Sequence, residues 1–217
     1  EKRTDQRVFW HGKLKKESRK TWQAMALTAL CSVALFCLLF SYKKMYPFGD
    51  GSVAITDLYS QYLPLLYHFY DVVTGQKNLF LDFSVSGGAN LYADTINEVL
   101  NPFNYVLLLF GRDRIYQAVN VLVLLYSTAS AVTAHIFLEK TASGRRFQNV
   151  PLALCYGCCG YMAYNYQIIK WMIFPVIFPL FCQKSPPIGQ AFPDYASSII
   201  AISAASPRRG PILMILV

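Results

Sequence analysis

The run from Trp22 to Tyr42 is almost wholly apolar, and at about 20 residues such a run can carry a helix across a hydrocarbon core of roughly 30 Å. No other feature constrains the fold as strongly, because backbone in lipid must satisfy its own hydrogen bonds and therefore coils into a helix. Lys2, Arg3, Arg7, Lys13, Lys15, Lys16, Arg19 and Lys20 crowd the segment before it, against Glu1, Asp5 and Glu17. A basic run can bind nucleic acid, but beside an apolar span it reads as a cytoplasmic anchor. The stretch exceeds a signal-peptide core of roughly 7–15 residues, and no small-residue cleavage pattern follows it. It is predicted to be an uncleaved first span behind a cytoplasmic tail, residues 1–21.

Composition agrees. Hydrophobic residues make up 54% and charged residues 15% of the 217 positions, with a mean hydropathy of +0.31. Soluble domains carry about 25% charge. The predicted class is an all-α integral membrane protein with no nucleic-acid partner. Cys155 and Cys158 have C-x-x-C spacing, which with a second pair or a nearby His would suggest redox or metal chemistry. Alone, the cysteines read as small buried thiols at helix interfaces.

Between residues 43 and 114 the balance turns acidic, with Asp50, Asp57, Asp71, Asp82, Asp94, Glu98 and Asp113 against Lys43, Lys44, Lys77, Arg112 and Arg114. That balance suits an external loop. Within it, Leu58, Tyr62, Leu65, Leu66, Phe69 and Val73 recur at helical spacing, and Asp57, Gln61, Pro64 and His68 follow another face. The pattern predicts an amphipathic helix lying on the membrane interface, kinked or restarted at Pro64. Ser86-Gly87-Gly88 and Asn101-Pro102 read as turns. Asn104–Phe110 is too short to span and reads as an interfacial or re-entrant helix.

Further spans are predicted at 116–138, 150–164 and 168–182, joined by a basic inner turn (139–148) and by Asn165-Tyr166-Gln167 outside. The segment 183–217 scatters Pro and Ser through weak apolar patches. It reads either as a cytoplasmic tail or as the product of truncation or a frameshift near Cys182.

The segment YPFGDGSVAITDLYSQYLPLLYHFYDVVTGQ, followed by SVSGGAN, NPFNYVLLLFG and LCYGCCGYMAYNYQIIKWMIFPVIFPL, resembles the YfhO-type bacterial membrane proteins. The resemblance runs roughly from Trp22 to Leu180. It implies a GT-C-like multi-span helical bundle that takes a sugar from a polyprenyl-phosphate carrier at the outer face, in a family linked to teichoic acids and other envelope glycopolymers. Family members are much longer, with more spans. In such enzymes an acidic residue of the first external loop is essential, and Asp57 matches that position. It would take the proton of the acceptor hydroxyl as the anomeric carbon is attacked.

Each candidate has a plainer reading. Asp57 after Thr56 can simply cap the following helix. Asp94 and Glu98, four residues apart, can hold a divalent ion or the acceptor, or be two solvated acids. A departing lipid phosphate calls for a cation; Lys170 comes first, then Arg112 and Arg114, and ordinary snorkelling is their alternative. Gln61 and His68 share the face of Asp57 and join the substrate-binding set, although a lone His is often only an interfacial polar residue. The competing class is a non-catalytic membrane protein: a flippase, an assembly subunit or an inert product. Transporters place ionisable groups near mid-span, whereas the first two spans hold only His135, near an inner end. That pattern favours surface chemistry.

Overall fold

In the computed structural model, described residues are 2–83, 88–141 and 147–184, with side chains from Lys20 onward. Part of the Gly-rich turn, including Gly87, the centre of the basic 139–148 turn and the tail from 185 lie outside them.

Helix α1 (Lys2–Tyr42) runs unbroken through the basic segment and the first apolar run. Its inward stripe is small and regularly spaced: Ala24, Thr28 and Ser32 are fully buried, and Phe40 nearly so. Small residues four apart let a second helix approach closely. That helix is α4 (Ile115–Thr141). Thr28 Oγ1 lies 2.9 Å from His135 Nδ1, Ser32 Oγ lies 3.0 Å from Thr128 Oγ1, and Thr21 Oγ1 donates to Glu139 Oε1 at 3.2 Å. As numbers rise on α1 they fall on α4, so the two are antiparallel.

The opposite face of α1 is bare. Leu30 is 67% and Leu38 71% exposed, which an aqueous surface would not sustain over a whole helix face. Lys20–Tyr42 and Arg112–Thr141 are both long and apolar enough to cross a membrane.

The third predicted span forms two helices, α5 (Asn149–Gly157) and α6 (Gly160–Asn165), because Cys159 is extended at φ −67°, ψ 166° between them. α5 packs so tightly on α4 that a Cβ on Gly157 would stand 2.7 Å from both Ala131 Cβ and Ser127 O. Gly157 and Ala153 fill that interface, so the cysteines do not. Cys155 and Cys158 are exposed, and all six thiols are free; the expectation of buried interface thiols is corrected here. α7 (Ile173–Lys184) follows a 3-10 turn, Ile169–Met172, and returns alongside α4, where Gln183 reaches Ile136 O.

The long segment 43–114 folds over the end of α4 where that helix begins. Leu58, Tyr62, Leu66 and Phe69 pack with Leu107, Ile115, Val119, Ile169 and Met172 in one core. Leu58–Tyr62 is a π-helix turn, and α2 (Leu63–Val73) starts afresh with Pro64 in its first turn. Pro64 lacks an N–H where the helix start needs none. α3 (Tyr92–Asp94) leads into a second π-turn, Thr95–Val99. Pro102–Leu109 is a 3-10 helix capped by Asn101, which accepts from Phe103 N. A two-residue hairpin pairs β1 (Leu81–Asp82) with β2 (Ala89–Asn90), Leu81 opposite Asn90.

Candidate functional site

The chain leaves α1 through the YPFGDG turn. Tyr46 N donates to Gly51 O at 2.9 Å and Gly51 N to Lys44 O at 3.1 Å. A Cβ on Gly49 would sit 2.3 Å from Lys44 O, so only glycine fits there. Asn120, wholly buried on α4, clamps this turn. Its Oδ1 accepts from Val53 N at 2.8 Å, and its Nδ2 donates to Tyr46 O at 3.1 Å and Gly51 O at 3.0 Å. Ser52 Oγ adds a bond to Tyr116 O at 2.6 Å.

The clamped segment delivers Thr56 and Asp57. Thr56 has φ +43°, a left-handed conformation that is an outlier for a β-branched residue and costs of order 1–3 kcal/mol. Asp57 is exposed. It stands at the cap position with helical dihedrals and makes no side-chain cap hydrogen bond, so helix capping does not explain it.

The face behind Asp57 carries a polar string. Tyr62 Oη donates to Glu98 Oε2 at 2.6 Å, Asn97 Nδ2 donates to Glu98 Oε1 at 3.0 Å, and Lys170 Nζ donates to the same oxygen. Burial, the Glu98 hydrogen bond, its charge and then the Asp57 charge push the Tyr62 phenol far upward, so it remains a donor. Burial pushes Glu98 up, but the bonds from Lys170 and Tyr62 outweigh it and leave the carboxyl below its ordinary value. Glu98 and Lys170 also line a cleft of about 380 Å³ with Asn97, Asn101, Trp171 and Phe174.

A depressed carboxyl stabilises the folded state above its ordinary pKa, and that contribution fades as pH falls through the depressed value. Glu98→Gln is therefore expected to lower stability near neutrality and to flatten the loss of stability as pH falls through and below the ordinary carboxyl range. Thermal unfolding of both proteins across that range checks it; parallel acid profiles would refute it.

A second cluster lies along α2. Asp71 and Asp82 are only 2% and 6% exposed. Arg112 grips Asp71 with Nε at 2.7 Å and a terminal nitrogen at 3.2 Å. Its guanidinium also sits 5.1 Å over the Tyr67 ring. Lys77 Nζ donates to Asp82 Oδ2 at 2.8 Å and lies 3.8 Å from Asp71. The same Asp82 oxygen is 2.9 Å from His68 Nδ1.

Of the predicted residues, Glu98 and Lys170 come together directly, with Asp57 close enough for its charge to be felt at Tyr62. Arg112 and His68 join the second cluster. Gln61, Asp94 and Arg114 are exposed and outside both networks. His68 requires a correction: it is 2% exposed rather than on the solvent face, because the hairpin brings Asp82 over it. Among the described residues no group of three or more His, Cys, Asp or Glu side chains could hold a metal ion, and Glu98 is committed to Tyr62, Asn97 and Lys170. The sequence reading missed Tyr62, Asp71, Asp82, Lys77 and Asn120. Only Asn120 had a signal of its own, a strongly polar side chain inside an otherwise apolar span.

Comparison with curated proteins and with solved structures gives no match. A family profile described as "Bacterial membrane protein YfhO" matches residues 28–182. That interval holds most of the apolar part of α1, the folded 43–114 segment with most of both polar clusters, and α4 into α7, well over half of the chain. This protein belongs to the YfhO family of bacterial membrane proteins.

Proposed function

We propose that the chain forms part of a GT-C-like polytopic glycosyltransferase, moving a sugar from a polyprenyl-phosphate carrier to an envelope glycopolymer such as teichoic acid. The observation that carries this reading is Asp57: an exposed carboxylate without a capping bond, set just beyond a membrane-length helix after an outlying Thr56. In the proposed reaction Asp57 accepts the proton of the acceptor hydroxyl while that oxygen attacks the anomeric carbon. The bond from sugar to phosphate breaks and the lipid phosphate departs with its electron pair. Exposed Arg114, at the start of α4, is placed to meet that charge. Lys170 is held by Glu98 and would have to share its protons between the carboxylate and the phosphate. Transfer of labelled sugar from a polyprenyl-phosphate donor, measured on the purified protein in proteoliposomes, tests the reading. Failure to consume any such donor would remove it.

The proposed orientation puts the basic start of α1 and the 139–148 turn in the cytoplasm, and 43–114 outside, because lysine and arginine stay on the cytoplasmic side. Asn78→Cys on a cysteine-free background is expected to react with an impermeant maleimide in intact cells. Labelling only after the cytoplasmic face is opened would reverse the orientation.

A further inference from the structure

We propose that the cleft beside α2, lined by Tyr67, His68, Lys77, Asp82, Arg112 and Asp113, is a subsite for an uncharged sugar ring of the acceptor glycan. It rests on the glycosyl-transfer reading, to which it adds a place for the part of the acceptor remote from the reacting hydroxyl.

The cleft measures about 400 Å³. Its charge argues against a phosphate. Arg112 is held in a two-pronged grip by Asp71, and Lys77 is held by Asp82 and Asp71. Both cations are thus neutralised at close range, and Asp113 adds a further negative charge at the rim. A phosphate would have to compete with buried carboxylates that already make short, charge-assisted bonds. A neutral ring with several hydroxyls carries no such conflict. It can donate to and accept from polar groups already held in place by one another.

His68 supplies a second, independent observation. Its Nδ1–H donates to the Asp82 carboxylate, which can only accept, and Nε2 is the ring's remaining polar atom. That Nε2 is buried and has no hydrogen-bond partner among the described residues. Leaving a buried polar atom unpaired is costly, and such an atom beside a cleft marks a place where a ligand hydroxyl can complete the network.

The surroundings extend the site in one direction. A neighbouring groove of about 630 Å³, lined by Tyr59, Ser60, Leu63, Pro64, Tyr67 and Tyr116, shares Pro64 and Tyr67 with the cleft. Tyr59 and Ser60 lie within one turn of Asp57. At about 1.5 Å per residue, the eleven positions from Asp57 to His68 span roughly 16 Å. A ring in the cleft is therefore not the one being transferred. It is a more distant unit of a chain laid over exposed tyrosine, whose rings offer flat apolar faces with a polar tip. Contacts to such remote units can be used to position the reacting end.

The test is saturation-transfer NMR on the whole protein in nanodiscs, with maltotetraose and a glycerol-phosphate oligomer as probes. Wild type and Asp57→Asn should both bind the saccharide. His68→Asn keeps a donor near the Nδ1 position and removes Nε2; Tyr67→Ala removes the shared wall. Each should weaken saccharide binding by about tenfold, equivalent to about 1.4 kcal/mol. Absence of saccharide binding to the wild type overturns the proposal, as does equal binding by both variants. Preferential binding of the glycerol-phosphate oligomer in the cleft overturns the assignment to an uncharged ring. Saccharide binding by a protein that transfers no sugar would strike the transferase reading and leave the subsite standing.

Discussion

Asp57→Asn is expected to abolish sugar transfer while the protein still inserts and folds. General-base action is worth about 10²–10⁴-fold in rate, and the amide keeps the shape of the carboxylate without its ability to take a proton. Little stability should be lost, because the Asp57 side chain makes no capping bond and is exposed. The test compares transfer rate, expression and thermal unfolding for the two proteins. Near-normal transfer by the Asn protein at equal expression would take the base away from Asp57 and return attention to Asp94.

Asn120→Leu is expected to damage both stability and activity from within a membrane-length helix. The side chain holds Val53 N, Tyr46 O and Gly51 O at once. Three hydrogen bonds at about 1 kcal/mol each, with backbone groups left short of partners, give a loss of roughly 2–4 kcal/mol. Leucine keeps the branching and the number of side-chain heavy atoms and leaves no cavity, so the loss would come from the missing polar partners and from the extra bulk of its methyl groups. Because the freed turn leads directly to Thr56 and Asp57, transfer should fall even where the protein is still folded. Phe48→Cys, introduced alongside on a cysteine-free background, should be labelled faster when Asn120 is replaced. Unchanged unfolding and unchanged labelling would show that the clamp does not hold the turn.

Several elements were legible because their cause is local. The α1 helix follows from an apolar run that in lipid has no other way to satisfy its backbone. The periodicity of Leu58, Tyr62, Leu65, Leu66, Phe69 and Val73 marked a helix and its buried face, and all but Val73, which is 41% exposed at the end of α2, are buried. Pro64 marked the fresh start of α2 for the reason that proline suits a first helical turn. Helical periodicity also has a limit, which His68 exposes. It tells which residues share a face, but not that a hairpin from later in the chain covers that face with Asp82.

The sequence by itself determined the membrane class, the family, the two long apolar helices α1 and α4 and the choice of Asp57, Glu98 and Lys170 as candidates. Those depend on hydropathy, on spacing and on motif order, all of which are written along the chain. Tertiary structure alone decided the partners. Glu98 meets Lys170 across 72 positions, Asp71 meets Arg112 across 41, and Asn120 reaches back 74 to Tyr46. An acid is a free ligand or half of an ion pair according to what packs beside it, and those neighbours arrive from distant segments brought together by burial of the shared core.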